Sequence, residues 1–367
     1  MAINLATKYA AQIDEVIRKG TLTGAGVNND VDFVGAKTVK IYSMDTAPLN
    51  DYNASGSNRY GNPVELEDTT QEMTMTQAKS FSFTIDKTNA VDSPEGVRDA
   101  GKALQREIDR EIIPEVDRYR LAVFANKAGI RMFTENTAAN AYTSFLAANT
   151  AVTDEEFPVD GRVAFCRTSF IELLKKSTEF TKNTDLAQDQ IIFKGQVGMC
   201  DGVAIIAVPS RRMPAGVTFI ITHPMCAPAP VKIQDYKIHA DPPGIAGHLV
   251  EGLIYHDCFV FDKKKAGIAA NYGVLEALTA EMTAGGETGK GEVTVKGNTS
   301  GAAKLVYKTA ASSLTVPSLG DDLTAWTDLP ADGVISGTAG HKLCVAAIDA
   351  YKKAVGASAV ITVVVGS

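Results

Sequence analysis

The chain has 367 residues, 45% of them hydrophobic and 22% charged, with a formal net charge of -7. That length suits two or more hydrophobic cores and that composition a folded protein, which excludes a single small module and the disordered and collagenous classes. The 43 acidic residues outnumber the 36 basic ones, and no Lys/Arg block is interleaved with aromatics, so sequence-specific DNA binding is excluded and only loose contact with nucleic acid is left.

Five cysteines (Cys166, Cys200, Cys226, Cys258 and Cys344) are scattered, odd in number and never spaced CxxC, so neither a disulfide framework nor a zinc site is expected. The first eight residues lack an apolar signal core. The longest apolar runs, such as 360–365, are far too short to cross a bilayer, so neither secretion nor membrane insertion is expected.

In chain order, Leu5, Tyr9, Ile13, Val16 and Ile17 recur at helical spacing up to Gly20. They predict a short amphipathic helix, read as a docked N-terminal arm rather than a helix kept for a partner protein. A strand follows over 37–44, where Val39 and Ile41 alternate with polar residues. Then come a long Asn-, Ser- and Gly-rich excursion over 45–63 and a return through Val64, Leu66, Met73, Met75, Phe81, Phe83 and Ile85 at a period of two. A two-stranded arm of this kind is marginal alone in water, so a neighbouring subunit is expected to cover it.

At Asp92-Ser93-Pro94-Glu95 the period changes to that of a helix, with a capping side chain, proline in the first turn and an acid facing the dipole. Val97, Ala100, Leu104, Ile108, Ile112, Val116, Tyr119 and Val123 carry one stripe towards Gly129. The helix would be roughly 50 Å long at ~1.5 Å per residue. Pro114 lies inside it, where a missing donor and a ring clash predict a kink.

Mixed elements follow: a helix near 138–149, a strand over 162–166, a helix from Ser169 to about Thr178, and strands over 203–208 and 217–222 closed by Pro209 and Pro224. Residues 250–261 and 267–271 read as a returning hairpin. Past Gly273, short strands over 292–295, 304–309, 342–348 and 359–365 predict a small β-sandwich, with the single tryptophan, Trp326, in its core.

No chemical motif survives inspection. Gly286-Glu287-Thr288-Gly289-Lys290-Gly291 lacks both the spacing and the Ser/Thr of a phosphate loop and reads as a β-turn. His223, His239, His248 and His256 have no metal-ligand spacing. There is no GxSxG elbow, and the Glu155-Glu156 and Asp321-Asp322 pairs adjoin turns. No catalytic, cofactor or metal site is expected, and the chain does not read as an enzyme.

The order of these elements, with the phrases over 159–165, 198–209 and 251–262 followed by Lys263-Lys264-Lys265, resembles the major capsid proteins of tailed bacteriophages, whose fold encapsulin shells share. The resemblance covers roughly residues 35–273 and implies an α+β phage capsid fold. It would place an N-terminal arm at 1–35 and a capsid core at 36–273, with an extended loop at 45–77, a spine helix at 94–129, an axial domain at about 134–241 and a return to the peripheral domain at 242–273. An appended immunoglobulin-like domain would occupy 274–367.

The implied function is a structural head protein that assembles as hexamers and pentamers into an icosahedral shell around double-stranded DNA. Such a protein is built in the host cytoplasm and ends in the virion. An encapsulin-like compartment is the alternative. The resemblance also implies a separate scaffolding protein, a portal and decoration partners, since spine residues begin by Pro94 and leave no room for a large self-scaffolding segment. No lysine lies between Lys40 and Lys79 to weld subunits covalently. Tyr52, Arg59 and Tyr60 near the loop tip are the candidate intersubunit contacts, because exposed Tyr and Arg are favoured interface anchors. The bend at Pro114 is expected to adjust between an immature round shell and a mature angular one.

Overall fold

The computed structural model describes residues 21–28, 38–44, 46–55, 59–63, 65–66, 68–87, 100–177 and 196–366. The helix expected over 4–19 and the helix start at 92–95 lie outside the described residues.

Thr38–Met44 (β1) pairs antiparallel with Asp68–Thr74 (β2), Thr38 opposite Thr74 and Met44 opposite Asp68. Residues 46–55, 59–63 and 65–66 lie outside the paired part. Gln77–Asp86 (β3) then joins a second, three-stranded sheet with Val231–Ala240 (β9) and Gly247–His256 (β10), in the order β3-β10-β9. Alternation along β3 turns Phe81, Phe83 and Ile85 to one face, where they join Tyr236, Val250 and Ile254. Gly252 sits between two of these rings: a Cβ there would lie 2.2 Å from Phe81 and 2.7 Å from Tyr236.

Against that face lies the long helix, described as Ala100–Glu107 (α1), a π turn at Ile108–Ile112 and Ile113–Lys127 (α2). The π turn is closed by the Ile113 N–H reaching the Ile108 carbonyl, five residues back. It ends just ahead of Pro114, which has no N–H for the Arg110 carbonyl and whose ring crowds that turn; a wider turn relieves both problems.

The π turn also corrects the expected stripe. Ala100, Leu104, Ile108, Ile112 and Val116 are buried on the three-stranded sheet as predicted, but beyond the turn a second buried set appears, Asp117, Leu121, Phe124, Ala125 and Ala128, while Tyr119 and Val123 are only half-buried. One extra residue in a turn rotates the following helix, so the single stripe becomes two faces serving two sheets. The helix stops at Lys127 because the chain must come close at Gly129, where a Cβ would lie 2.6 Å from the Lys265 backbone.

A third sheet has six strands. They are Ile130–Met132 (β4), Val163–Arg167 (β5), Gln196–Cys200 (β6), Val203–Val208 (β7), Val217–Thr222 (β8) and Ile268–Tyr272 (β11), in the order β4-β11-β8-β5-β7-β6. Every residue of β5, β8 and β11 is buried. Both faces are covered, which explains why these strands read as unbroken apolar runs. Ala141–Asp154 (α3) and Thr168–Lys176 (α4) pack one face through Phe145, Phe170 and Leu174, and α2 packs the other through Leu121 and Phe124.

Sheet membership differs from the expected division in two places. β9 falls within the 134–241 span assigned to the axial domain yet pairs with β10 beside β3, and β11 falls within the 242–273 return yet pairs with β8 and β4. The returning hairpin expected from 250–261 and 267–271 is therefore not formed. The turn at 262–267 carries the chain from one sheet to the other, and a period of two cannot reveal which distant strand is the partner.

Residues 276–362 are all β. Glu276–Ala284 (β12), which the sequence reading missed, is followed by Lys290–Lys296 (β13), Lys304–Ala310 (β14), Thr327–Asp328 (β15), Val334–Ser336 (β16), Lys342–Ile348 (β17), Ala354–Ser358 (β18) and Ile361–Thr362 (β19). They form one connected sheet in the order β15-β14-β17-β18-β12-β13-β16, with β19 on β17. Leu343 and Val345 of β17 face a cluster with Val293 and Ile335, and Ala346 and Ile348 face another with Val306 and Leu323. Trp326 packs half-buried at the rim of the second cluster rather than inside it.

Gly252→Ala should overpack the ring pair it separates and lower stability by about 1–3 kcal/mol in urea unfolding. An unchanged midpoint would mean that Phe81 and Tyr236 move apart at no cost.

Candidate functional site

The only described element that projects without a third strand or a helix on it is the β1–β2 ribbon. Its root is buried and its tip is not. At the root Met73 and Met75 are almost fully covered, packing with Val39, Ile41, Tyr255, Phe259 and Phe261. Two cross-strand hydroxyl pairs, Thr38 with Thr74 and Ser43 with Thr69, and the Lys40–Glu72 ion pair at 2.6 Å hold the exposed face together.

A carboxylate fastens the root to the body. Asp257, directly after β10, accepts from the Thr76 N–H at 2.7 Å, the Thr76 hydroxyl at 3.1 Å, the Tyr119 hydroxyl at 2.6 Å and the Cys258 N–H at 2.8 Å. One buried acid thereby ties the ribbon to both β10 and α2. Two further bonds reinforce it: the Tyr255 hydroxyl donates to the Met75 carbonyl at 2.9 Å, and Gln71 bridges the Val260 carbonyl and the Asp262 N–H. A similar buried acid, Asp117 on α2, accepts from the Thr23 hydroxyl at 2.8 Å and from Arg212 at 3.0 Å, fixing residues 22–23 to the helix.

At the other end, Leu49 is fully exposed, Tyr60 is 83%, Tyr42 71% and Tyr52 58% exposed, and Leu66 about half. The tip nevertheless has local order. The Asn53 N–H bonds the Arg59 carbonyl, the Tyr52 and Tyr60 rings meet edge to face at 5.3 Å, and Gly61 takes a positive φ of 80°. A Cβ at Gly61 would strike Asn50 at 2.6 Å. Of the three residues predicted as contacts, the structure brings Tyr52 and Tyr60 together on an exposed tip, with Arg59 in the same turn. The sequence from Asp45 to Asp68 holds five acids (Asp45, Asp51, Glu65, Glu67 and Asp68) and one base, Arg59, so the excursion is acidic.

The remaining sequence candidates stay apart. Among the described residues no group of three His, Cys, Asp or Glu side chains is placed to hold a metal. His223 accepts from the Met225 N–H, and His239 lies against Glu251 on an exposed strand. The Gly286–Gly291 stretch is the β12–β13 turn, closed by the Gly285 N–H on the Lys290 carbonyl and by a Lys290–Glu287 ion pair. All five cysteines are buried free thiols; burial pushes Cys200 and Cys258 up to about 12 and Cys226 to about 11. Such thiols are poor nucleophiles at neutral pH.

A scan of family models and a search of curated proteins return no match for this chain. Solved structures do match. A chain of Mycobacterium phage Che8 superposes with a TM-score of 0.53 at 18% identity over 69% of this chain and 90% of that one. The bacteriophage PhiM1 mature capsid gives 0.53 at 10% identity over 70% and 86%, and the capsid of cyanophage P-SCSP1u gives 0.52 at 11% over 68% and 86%. The fold is that of phage capsid proteins.

The sequence offered His256 only as one of four histidines without metal-ligand spacing and gave no sign of its place beside the root anchor. His256 is 1% exposed, its ring meets Tyr119 edge to face at 5.5 Å, and among the described residues neither ring nitrogen has a hydrogen-bond partner. Burial is the main cause holding it down from 6.5 to about 4; the Arg120 guanidinium adds to this and Lys79 slightly, while Asp257 opposes. The folded state thus binds fewer protons than the unfolded one between those values. The stability this neutral ring contributes is complete above pH 6.5 and is lost as pH falls towards 4, by up to about 3 kcal/mol. His256→Phe should flatten that acid limb in a pH series of urea midpoints, and an unaltered limb would assign the titration to another group.

Proposed function

We propose that this chain is the major capsid protein of a tailed bacteriophage, a structural subunit rather than an enzyme. The observation that carries the reading is the ribbon: two strands with no outer partner among the described residues, ending in an exposed, aromatic, acidic tip, on a fold shared with phage capsid structures. Unpaired strand edges and bare aromatics are a liability for a solitary molecule and an asset in one that repeats as a closed surface. Many modest contacts per subunit then sum to a stable shell.

In this reading subunits gather as hexamers and pentamers into an icosahedral shell, with Tyr52, Arg59 and Tyr60 seated on a neighbour. The net charge of -7 suits a lining that tolerates packaged double-stranded DNA without gripping it. A separate scaffolding protein, a portal and decoration proteins complete the particle, which forms in the host cytoplasm. Residues 274–367 are an immunoglobulin-like unit added to the capsid fold. The widened turn ahead of Pro114 supplies the place where the long helix changes its bend between immature and mature shells.

Expression with the genomic neighbours, followed by electron microscopy, tests the reading. Closed icosahedral shells are expected, and joint replacement of Tyr52 and Tyr60 by alanine should cut particle yield at least tenfold while leaving the subunit soluble. Hollow cages around an enzyme cargo would instead select the encapsulin-like compartment. Normal yield from the double variant would remove the tip from the interface, and equal helix curvature in immature and mature particles would remove the hinge.

A further inference from the structure

The C-terminal β unit shares its core with the rest of the subunit. Leu278, Ala347 and Val355 are buried in the same cluster as Leu121 and Phe124 of α2 and Tyr272 of β11. Around that shared core the backbone and charges are matched. The Ala215 N–H donates to the Ser300 carbonyl at 2.6 Å, and the Asn126 side chain on α2 donates to the Gly301 carbonyl at 3.0 Å. Arg167, at the end of β5, pairs with Glu276 at 2.5 Å, and both side chains are largely buried.

Arg131 of β4 makes the densest contact, pairing with the buried Asp349 at 2.5 Å while its guanidinium stacks 3.3 Å from the centre of the Tyr351 ring. Two glycines allow the close approach. Gly301, at a φ of 74°, leaves room for Pro214 and Ala122, where a Cβ would lie 2.7 and 3.2 Å away, and Gly320, at 81°, does the same against Phe133. These contacts reach α2, β4, β5 and the loop before β8, adding to the bonds by which the loop already holds α2 (Arg212 to Asp117) and β5 (Arg167 to the Pro214 carbonyl).

We infer that residues 274–367 act as an intramolecular brace that clasps the C-terminal half of the long helix to the six-stranded sheet. The unit is thus a working part of the subunit body, not an ornament tethered to it. Bending of the helix is thereby confined to the side the brace does not touch, the π turn at 108–112 and the three-stranded sheet beyond it. The inference holds whether or not the chain builds shells.

The chain carries its own two reporters. Its single tryptophan, Trp326, lies in the brace, and the brace contains no α-helix, so tryptophan emission follows the brace and ellipticity at 222 nm follows the helices of the body. Both signals are read on one urea series of the full-length chain, at two protein concentrations so that assembly is separated from folding. A brace requires coincident transitions at both concentrations. It also requires that Arg131→Ala, at the contact, and Val293→Ala, in the unit's remote cluster, each move the two midpoints by the same amount. Loss of the Trp326 signal at lower urea with the 222 nm signal intact would overturn the inference, as would a Val293→Ala shift confined to tryptophan. If Arg131→Ala fails to fold, the parent chain and Val293→Ala still decide it.

Discussion

The constraint on which the rest depends is the hydrogen-bonding capacity of the β1–β2 ribbon. Seven paired positions, about 23 Å of strand at ~3.3 Å per residue, are joined to each other and to no third strand among the described residues. Their outward N–H and C=O groups face water in the single chain. Such a ribbon melts unless one end is fastened, and here it is fastened by Asp257, whose oxygens reach the ribbon, α2 and the following turn together. The anchor leaves the far end presented but uncommitted.

The long helix reconciles two sheets. A regular α-helix with one stripe can serve one sheet, whereas this one must face the three-stranded sheet at Leu104 and the six-stranded sheet at Phe124. The π turn before Pro114 supplies the rotation, so the proline marks the join between two packing surfaces as well as a local defect. The buried polar groups near that join, Asp117, Arg120 and His256, are expensive to desolvate; both Asp117 oxygens accept hydrogen bonds, whereas among the described residues Arg120 Nε and the two His256 ring nitrogens have no partner.

Much of the architecture was legible where burial is two-sided. β7 and β8 appear at their true limits because apolar runs bounded by glycine and proline admit little else, and β17 because its apolar run stops at Asp349. β12 escaped notice because its alternation uses alanine and threonine, whose patterning is weak. Partner strands were illegible for a different reason: β9 and β11 satisfy the same local pattern in either sheet, and only contacts far along the chain decide. The exposure of Tyr52 and Tyr60 was legible because aromatics in a polar excursion stand out by composition. The Asp257 anchor left no such signal, since Thr76 and Tyr119 lie 181 and 138 positions away from it. The extra residue of the π turn shifted the predicted helix stripe, although Pro114 itself was the clue.

The most direct test of the central claim is hydrogen exchange across residues 38–76, compared between unassembled subunits and purified particles. If neighbouring copies cover the ribbon, its outward amides exchange rapidly in the free subunit and become strongly protected on assembly, while β8 amides are protected in both. Equal, rapid exchange of the ribbon in both states would contradict the account, because the strands would then be uncovered even in the shell.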